Sequence, residues 1–584
     1  MIGKVLNFLL ICFFSLSAAL CSTAKGDVWE QQFHQQLQHW LRNERISTIW
    51  GCDQQRINLH AALLRFYQYR QYQPAWVDSR GLLPEGESAL AIIQQADRQG
   101  LEPPAYYDRI LDDLVNGMLS IPVADRAMNV ERHIKLDMML TGMILRYAFY
   151  LSTGRTDPSI FNFSDKPSAP RHGDLAVQLA AMLDNGQFAT FLKQLAPQHA
   201  AYRALQKSLQ EYREIETAGG WPVIDEGPAL KFGDRGPRVA MLRYRLTVSK
   251  DAIVDSAKLN DRFDDALATA VMRFQHRHGL KADGVLGAGT LAAMNVPVAQ
   301  RIRQIELNLE RWRWLPPKLE TYHIRVNIPS FELKVIDKGQ AVKTMRVIVG
   351  REERPTPMLS SKMTYLELNP YWQVPSKIAR EDLLPKIQKD PKFLVRQNFQ
   401  VFKGWEEDAH ALNPFSIKWA TLDKDNFPYR LRQEPSPHNA LGQVKFMFPN
   451  ELSVYIHDTP SKRLFHRSSR DFSSGCVRVE KPLELAAFLL GRQNWNLKRL
   501  DEVLAAKKRQ VVVLKEPVPV YLVYMTAWAG ENGEVHFRED IYGRDQQLQT
   551  LLAEIEAAEQ RCAAAVLPTY FVQSAPAGGL SAGL

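Results

Sequence analysis

Cysteine is scarce in this chain, with five in 584 residues at positions 12, 21, 52, 476 and 562. Thiols so few and so scattered exclude a disulfide framework and a cysteine-built structural zinc site. Long apolar runs are missing after the first twenty residues. The stretch Met138 to Tyr150 is preceded by Asp137 and broken by Arg146, so it reads as a buried helix. Blocks of one charge sign are absent as well: 73 basic and 64 acidic residues are interspersed, and the formal net charge is +9. That balance, with no nucleic-acid-binding motif, favours loose attraction to an anionic envelope surface over nucleic-acid recognition.

What is present suggests several domains. A 45% hydrophobic chain of this length buries more than one core, and length alone points to three or four units. Lys4 followed by the uncharged apolar stretch Val5 to Leu20 reads as an export signal over 1–24, cleaved after Ala19 or Ala24. Cys21 follows Leu20, a residue larger than a lipoprotein site prefers. The alternative is an uncleaved anchor in the inner membrane, for which sixteen apolar residues are marginal. Residues 25–229 read as helical, with Trp29, Phe33, Leu37, Trp40 and Leu41 at helical spacing. No catalytic constellation occurs there, and a scaffold is the expected role.

A small module follows over 230–297. Gly233-Asp-Arg-Gly-Pro-Arg-Val239 leads into one helix, and Phe263 to Leu280 forms a second with Ala270, Val271 and Phe274 on its apolar side. Asp283-Gly284 marks a turn, and Gly287 with Thr290 predicts an N-capped third helix. Residues 298–320 read as a linker helix with Ile302, Ile305, Leu309 and Trp312 on one side, stopped by Pro316-Pro317. From Tyr322 the period changes to two, which predicts an antiparallel β-rich domain over 321–517. Its irregular insertion, 376–443, reads as a cap or lid. A helix is expected from Pro482 to Leu490, closing on Gly491, with strands at Val511 to Leu514 and Val518 to Tyr524. The segment 518–545 reads as C-terminal strands, and 546–584 as a helix and disordered tail.

The most informative pairing is His457 with Cys476, nineteen positions apart. A thiol needs a nearby base to become a thiolate, and a developing oxyanion needs backbone donors such as the amides of Gly475 and Cys476. Alternation puts Tyr455 and His457 on one face of a strand, and Cys476 and Arg478 on one face of a neighbour. Thiol, imidazole and guanidinium would then line one cleft. Ser473 is a candidate for orienting the imidazole, Arg478 for holding a carboxylate through its planar fork, and Tyr455 and Trp372 for cleft walls. Each has a plainer structural reading as a turn, solvated or core residue.

These residues resemble the signature of the L,D-transpeptidase family, with its YkuD-type catalytic domain. There a His precedes Ser-His-Gly-Cys, a small apolar residue and Arg or Asn. The match is His457, Ser473, Gly475, Cys476, Val477 and Arg478, and Ser474 departs from it by standing where many members carry His. Gly350 with Thr356-Pro357, Asn369-Pro-Tyr-Trp-Gln-Val-Pro375 and His457-Asp-Thr-Pro460 are similar to the large periplasmic, YcbB-like branch. The strings Phe274-Gln275 and Asp283-Gly-Val-Leu-Gly-Ala-Gly-Thr290 resemble the small helical peptidoglycan-binding domain.

The resemblance implies an exported, periplasmic, multidomain α+β enzyme: helical scaffold, three-helix peptidoglycan-binding-like domain, and β-rich catalytic domain with an inserted capping subdomain. It implies that Cys476 attacks a peptidoglycan tetrapeptide stem, releases D-alanine and passes the acyl group to a diamino acid of a neighbouring stem. No metal or organic cofactor is implied, and carbapenem-type β-lactams are the expected inhibitors. Two rivals stand beside this reading: an exported cysteine peptidase with water as acceptor, and a non-catalytic wall-binding scaffold. The order His before Cys favours the transpeptidase, since papain-like wall peptidases usually place Cys first.

Overall fold

The computed structural model describes residues 28–42, 57–101, 105–126, 128–161, 163, 174–252, 260–404, 406, 409–530 and 532–572. The expected leader, Cys12, Cys21, Cys52 and the tail after residue 572 lie outside these, as does the side chain of Cys562.

The N-terminal scaffold is helical. It includes α1 (Leu59–Tyr69), α2 (Val130–Thr153) and α3 (Ala200–Thr217). Helix α2 is buried around nearly its whole circumference. Its buried Asp137 accepts from the Tyr67 hydroxyl at 2.6 Å and from the amides of Ala75 and Trp76 at 2.9 and 2.7 Å. A carboxylate taken out of water requires such partners.

The next unit packs α4 (Pro237–Val248), α5 (Asp265–Arg277) and α6 (Ala288–Met294) around its own core of Val239, Leu242, Leu246, Phe263 and Phe274. Asp264 caps α5 through the amide of Leu267 at 2.9 Å. The expected cap on α6 is corrected. Gly287 is the N-cap residue, and Thr290 sits inside the first turn, where its hydroxyl accepts from Gln275 at 3.1 Å. Helix α7 (Val298–Trp314) is no free linker either. Its Glu310 accepts the scaffold amides of Arg155 and Thr156 at 2.6 and 2.9 Å, and its Asn308 exchanges bonds with Thr526 at 2.8 and 3.0 Å. One apolar core therefore runs from the scaffold through α7 into the β domain.

That domain is built on β1 (Tyr322–Asn327), β2 (Glu332–Asp337), β3 (Gln340–Gly350) and β4 (Leu359–Leu368). The cap contributes β5 (Trp372–Gln373), β6 (Phe399–Lys403), β7 (Ala411–Leu412) and β8 (Tyr429–Gln433). The main sheet resumes with β9 (Val444–Met447), β10 (Ile456–His457), β11 (Asp471–Ser473), β12 (Val477–Val479) and β13 (Gln510–Val523). Its order is β11-β3-β12-β10-β9-β4-β13-β1-β2, and β2 also pairs with β3, so the sheet closes on itself. Closure leaves few exposed edges. The expected purely antiparallel sheet is corrected to a mixed one, because β10–β12, β13–β1 and β11–β3 are parallel pairs. The two strands expected around Val511 and Val518 are one, β13, with a register shift between Val513 and Val518. A boundary at 517 would cut it.

The cap has its own four-stranded sheet, β5-β8-β6-β7, and its own core around Ile387, Leu394, Val401 and Leu431. It starts at Trp372, four residues before the expected 376. After α8 (Pro482–Leu490), a hairpin of β14 (Ala527–Ala529) and β15 (Val535–Phe537) lies against α3 and α5.

Candidate active site

Parallel pairing of β10 with β12 sets His457 beside Arg478 and Ile456 beside Val477. One step earlier, the Tyr455 carbonyl accepts the Val477 amide at 3.1 Å, which brings Tyr455 beside Cys476. Period-two alternation sends Ile456, Val477 and Val479 into the core, and the polar residues face the other way. A single cleft of about 620 Å³ is lined by Tyr455, His457, Ser473, Cys476 and Arg478, together with Trp372 and Asp382 from the cap. The structure thus brings all the expected side chains to one place. A second cavity of about 540 Å³, lined by Lys445 and Arg509, adjoins it across Tyr455.

His457 is 5% exposed, and its Nδ1 meets the carbonyl oxygen of Asp458 at 2.5 Å. The Asp458 carboxylate is fixed in turn by the amides of Thr459 at 2.6 Å and Gln443 at 2.8 Å, and by Lys462. Gly442 makes this possible: its φ is +60°, and a Cβ there would stand 2.2 Å from Asp458 Oδ2. The expectation that Ser473 orients the imidazole is corrected. Its hydroxyl donates to the Cys476 carbonyl at 2.5 Å and accepts from the Gly475 amide at 3.2 Å, closing the Ser-Ser-Gly-Cys turn on itself. The Gly475 amide is thereby occupied, and of the two expected oxyanion donors the Cys476 amide is the one that turn does not use. Gly475 is needed for its φ of +111°, since the space around it is open to 3.7 Å. Thr356 holds the turn from behind, donating to the Gly475 carbonyl at 2.8 Å and accepting the Gly350 amide at 2.8 Å.

Burial, followed by the charges of Arg478 and Lys445, holds His457 down to about 3, against the opposing bond from Asp458. Burial also pushes the Cys476 thiol up, while the Tyr455 backbone, Lys445, the Tyr455 side chain and Arg478 pull it back. Both shifts favour the neutral forms, so they give no support to a standing thiolate–imidazolium pair. Burial raises the Tyr455 hydroxyl well above the phenol range, Cys476 adds to that, and a hydrogen bond with Trp372 opposes it. The Arg478 Nε is buried without a hydrogen-bond partner, and its guanidinium makes no ion pair among the described residues. That is a cation placed in a cleft with nothing to hold.

Three contributors have roles that the sequence does not assign. Lys445 on β9 lies opposite His457 and over the Tyr455 ring at 4.3 Å. Asp458 acts through its carbonyl. Arg354 donates to Ser474 Oγ at 3.1 Å and to the cap's Asp382 at 2.6 and 3.1 Å, and it pairs with Glu381. This guanidinium clips the cap to the turn that carries Cys476. Such long-range polar pairs leave no periodicity to read.

Residues 321–519 match the family model for the YkuD L,D-transpeptidase catalytic domain. Over that third of the chain the sequence is that of a YkuD-type L,D-transpeptidase catalytic domain. Residues 61–209 match a scaffold domain, and residues 235–294 match a "Putative peptidoglycan binding domain". A Haemophilus influenzae protein named "Putative L,D-transpeptidase" is 40% identical over 255 residues, which is 43% of this chain and 50% of that protein. The chain thus spans about half the length of that curated relative. Solved L,D-transpeptidases from Xylanimonas cellulosilytica and Stackebrandtia nassauensis are 15% and 13% identical, at TM-scores of 0.17 and 0.20. They cover 51% and 52% of this chain and 99% and 96% of their own lengths. The assignment rests on the sequence match, which the site geometry accompanies.

Proposed function

We propose that this chain is a peptidoglycan L,D-transpeptidase of the large periplasmic branch, acting outside the cytoplasm through a Cys476 thioester. The observation that carries the proposal is the convergence of Cys476, His457 and an unpartnered Arg478 in one cleft roofed by the cap. Cys476 Sγ attacks the carbonyl carbon after the third residue of a tetrapeptide stem, and its proton passes to the neutral His457. The Cys476 amide stabilises the oxyanion. The C–N bond to the terminal D-alanine breaks, and the departing amine takes the proton from the imidazolium. A neutral side-chain amine of a neighbouring stem's diamino acid then attacks the thioester. Its proton returns through His457 to the thiolate, and the product is a crosslink between two third-position residues.

Arg478 has two effects in this scheme. It holds a stem carboxylate, and that carboxylate cancels one of the two cationic charges that keep the imidazole from accepting a proton. Substrate binding therefore raises the basicity of His457 at the moment a base is needed. The cap, clipped by Arg354, keeps water from the thioester so that an amine competes. The module at 235–294 is proposed to bind or align along the wall.

Incubation with tetrapeptide muropeptides tests this reading. Dimers with third-to-third crosslinks and released D-alanine are expected, and both should vanish in Cys476→Ala. Tripeptide alone, with no dimers, would place the chain among hydrolases.

A further inference from the structure

Away from the cleft, the β14–β15 hairpin meets the last turn of α5. His276 of the small module, with Glu534 and His536 of the hairpin, places three potential ligand atoms within 4.8 Å of one another. His536 is the fixed member. Its ring stacks on Trp528 at 5.2 Å and 6°, and His276 stands edge-on to it at 5.7 Å. Its Nδ1 is buried without a hydrogen-bond partner, and its Nε2 lies 3.3 Å from Glu534 Oε1. Gly530 leaves room beside that nitrogen, where a Cβ would come within 2.7 Å.

We infer that His276, Glu534 and His536 form a binding site for a borderline divalent cation of the zinc type, bridging the small helical module to the catalytic unit. Two imidazoles and one carboxylate suit such an ion, with water in the fourth position. A tetrahedral ion with bonds of about 2.0–2.1 Å needs its ligands roughly 3.3–3.5 Å apart. His276 is exposed on its helix and can close that distance by rotating its side chain. The ligands come from two separate stretches of chain. The ion would therefore reinforce contacts already present, in which Arg538 donates to the Arg277 carbonyl at 3.0 Å and Arg277 donates to the Val535 carbonyl at 3.3 Å. Metal would hold the module at a set angle to the cleft.

The test uses the full chain carrying Cys476→Ala, which removes the cleft thiol as a competing ligand, with zinc chloride as the probe. Equilibrium dialysis and metal analysis should find one saturable equivalent that raises the thermal midpoint. Adding His276→Gln, an exposed change that leaves the fold intact, should weaken binding at least roughly tenfold and abolish the midpoint shift. Glu534→Gln should act in the same direction. Absence of a saturable equivalent, or binding unchanged by His276→Gln, would overturn the inference.

Discussion

Replacing Arg478 by Gln removes the buried guanidinium whose Nε has no partner in the cleft, and it keeps the side chain's stem. A hydrogen bond to a charged group contributes about 1.5–3 kcal/mol. Loss of the Arg478–carboxylate contact should therefore lower kcat/KM for a tetrapeptide stem about ten- to 150-fold. Most of the loss should fall in KM, since the carboxylate is held alike before and during the reaction. Part should fall in kcat, because without the bound carboxylate there is no charge cancellation to raise the base. A substrate-free assay isolates the first effect. Iodoacetate carries a carboxylate and iodoacetamide does not, and the ratio of their rates at Cys476 cancels any change in thiolate fraction. The parent should prefer iodoacetate more than free cysteine does, and Arg478→Gln should lose that preference. An unchanged ratio would show that Arg478 does not read carboxylates.

Further outcomes follow from the same electrostatics. Alkylation of Cys476 should rise with pH toward a midpoint above that of free cysteine, with no plateau near neutrality, because burial keeps the thiol protonated; a plateau between pH 5 and 7 would mean a standing ion pair. Arg354→Ala or Asp382→Asn should loosen the cap and raise hydrolysis relative to transfer on tetrapeptide stems, whereas an unchanged product ratio would remove the cap from the mechanism. The folded values of His457 and His536 are lowered to about 3, so their stabilising contribution is full above the ordinary histidine value and is lost as pH falls through the folded one. Asp137, raised to about 6, contributes in the opposite sense, stabilising below the ordinary carboxylate value and losing that as pH rises through 6. With two histidines against one aspartate, the thermal midpoint should drop between pH 7 and pH 5, and a rise would contradict these shifts.

The order of units and the meeting of the expected side chains in one cleft are legible in the sequence because their causes are local. Alternation in Tyr455-Ile-His457 and Cys476-Val-Arg478 selects the face, and the Gly475 turn requires a residue free to take positive φ. What sequence concealed depends on pairing at a distance. The parallel register of β10 with β12, which brings Tyr455 beside Cys476, is set by closure of the whole sheet. The polar spine of α7 looked like a linker because its apolar stripe is all that periodicity reports, and its Glu310 and Asn308 find partners more than a hundred residues away. Ser473 belongs to the motif, yet its hydroxyl serves its own turn. Thr290 carried a capping signature, but Gln275 had the stronger use for it.

The central claim is that Cys476 becomes the acyl carrier. Intact-mass analysis after incubation with a carbapenem tests it most directly. One covalent adduct, mapping to Cys476 and absent in Cys476→Ala, is the predicted result. An adduct that persists in that variant would contradict the account, as would no adduct on a chain whose Cys476 alkylates normally.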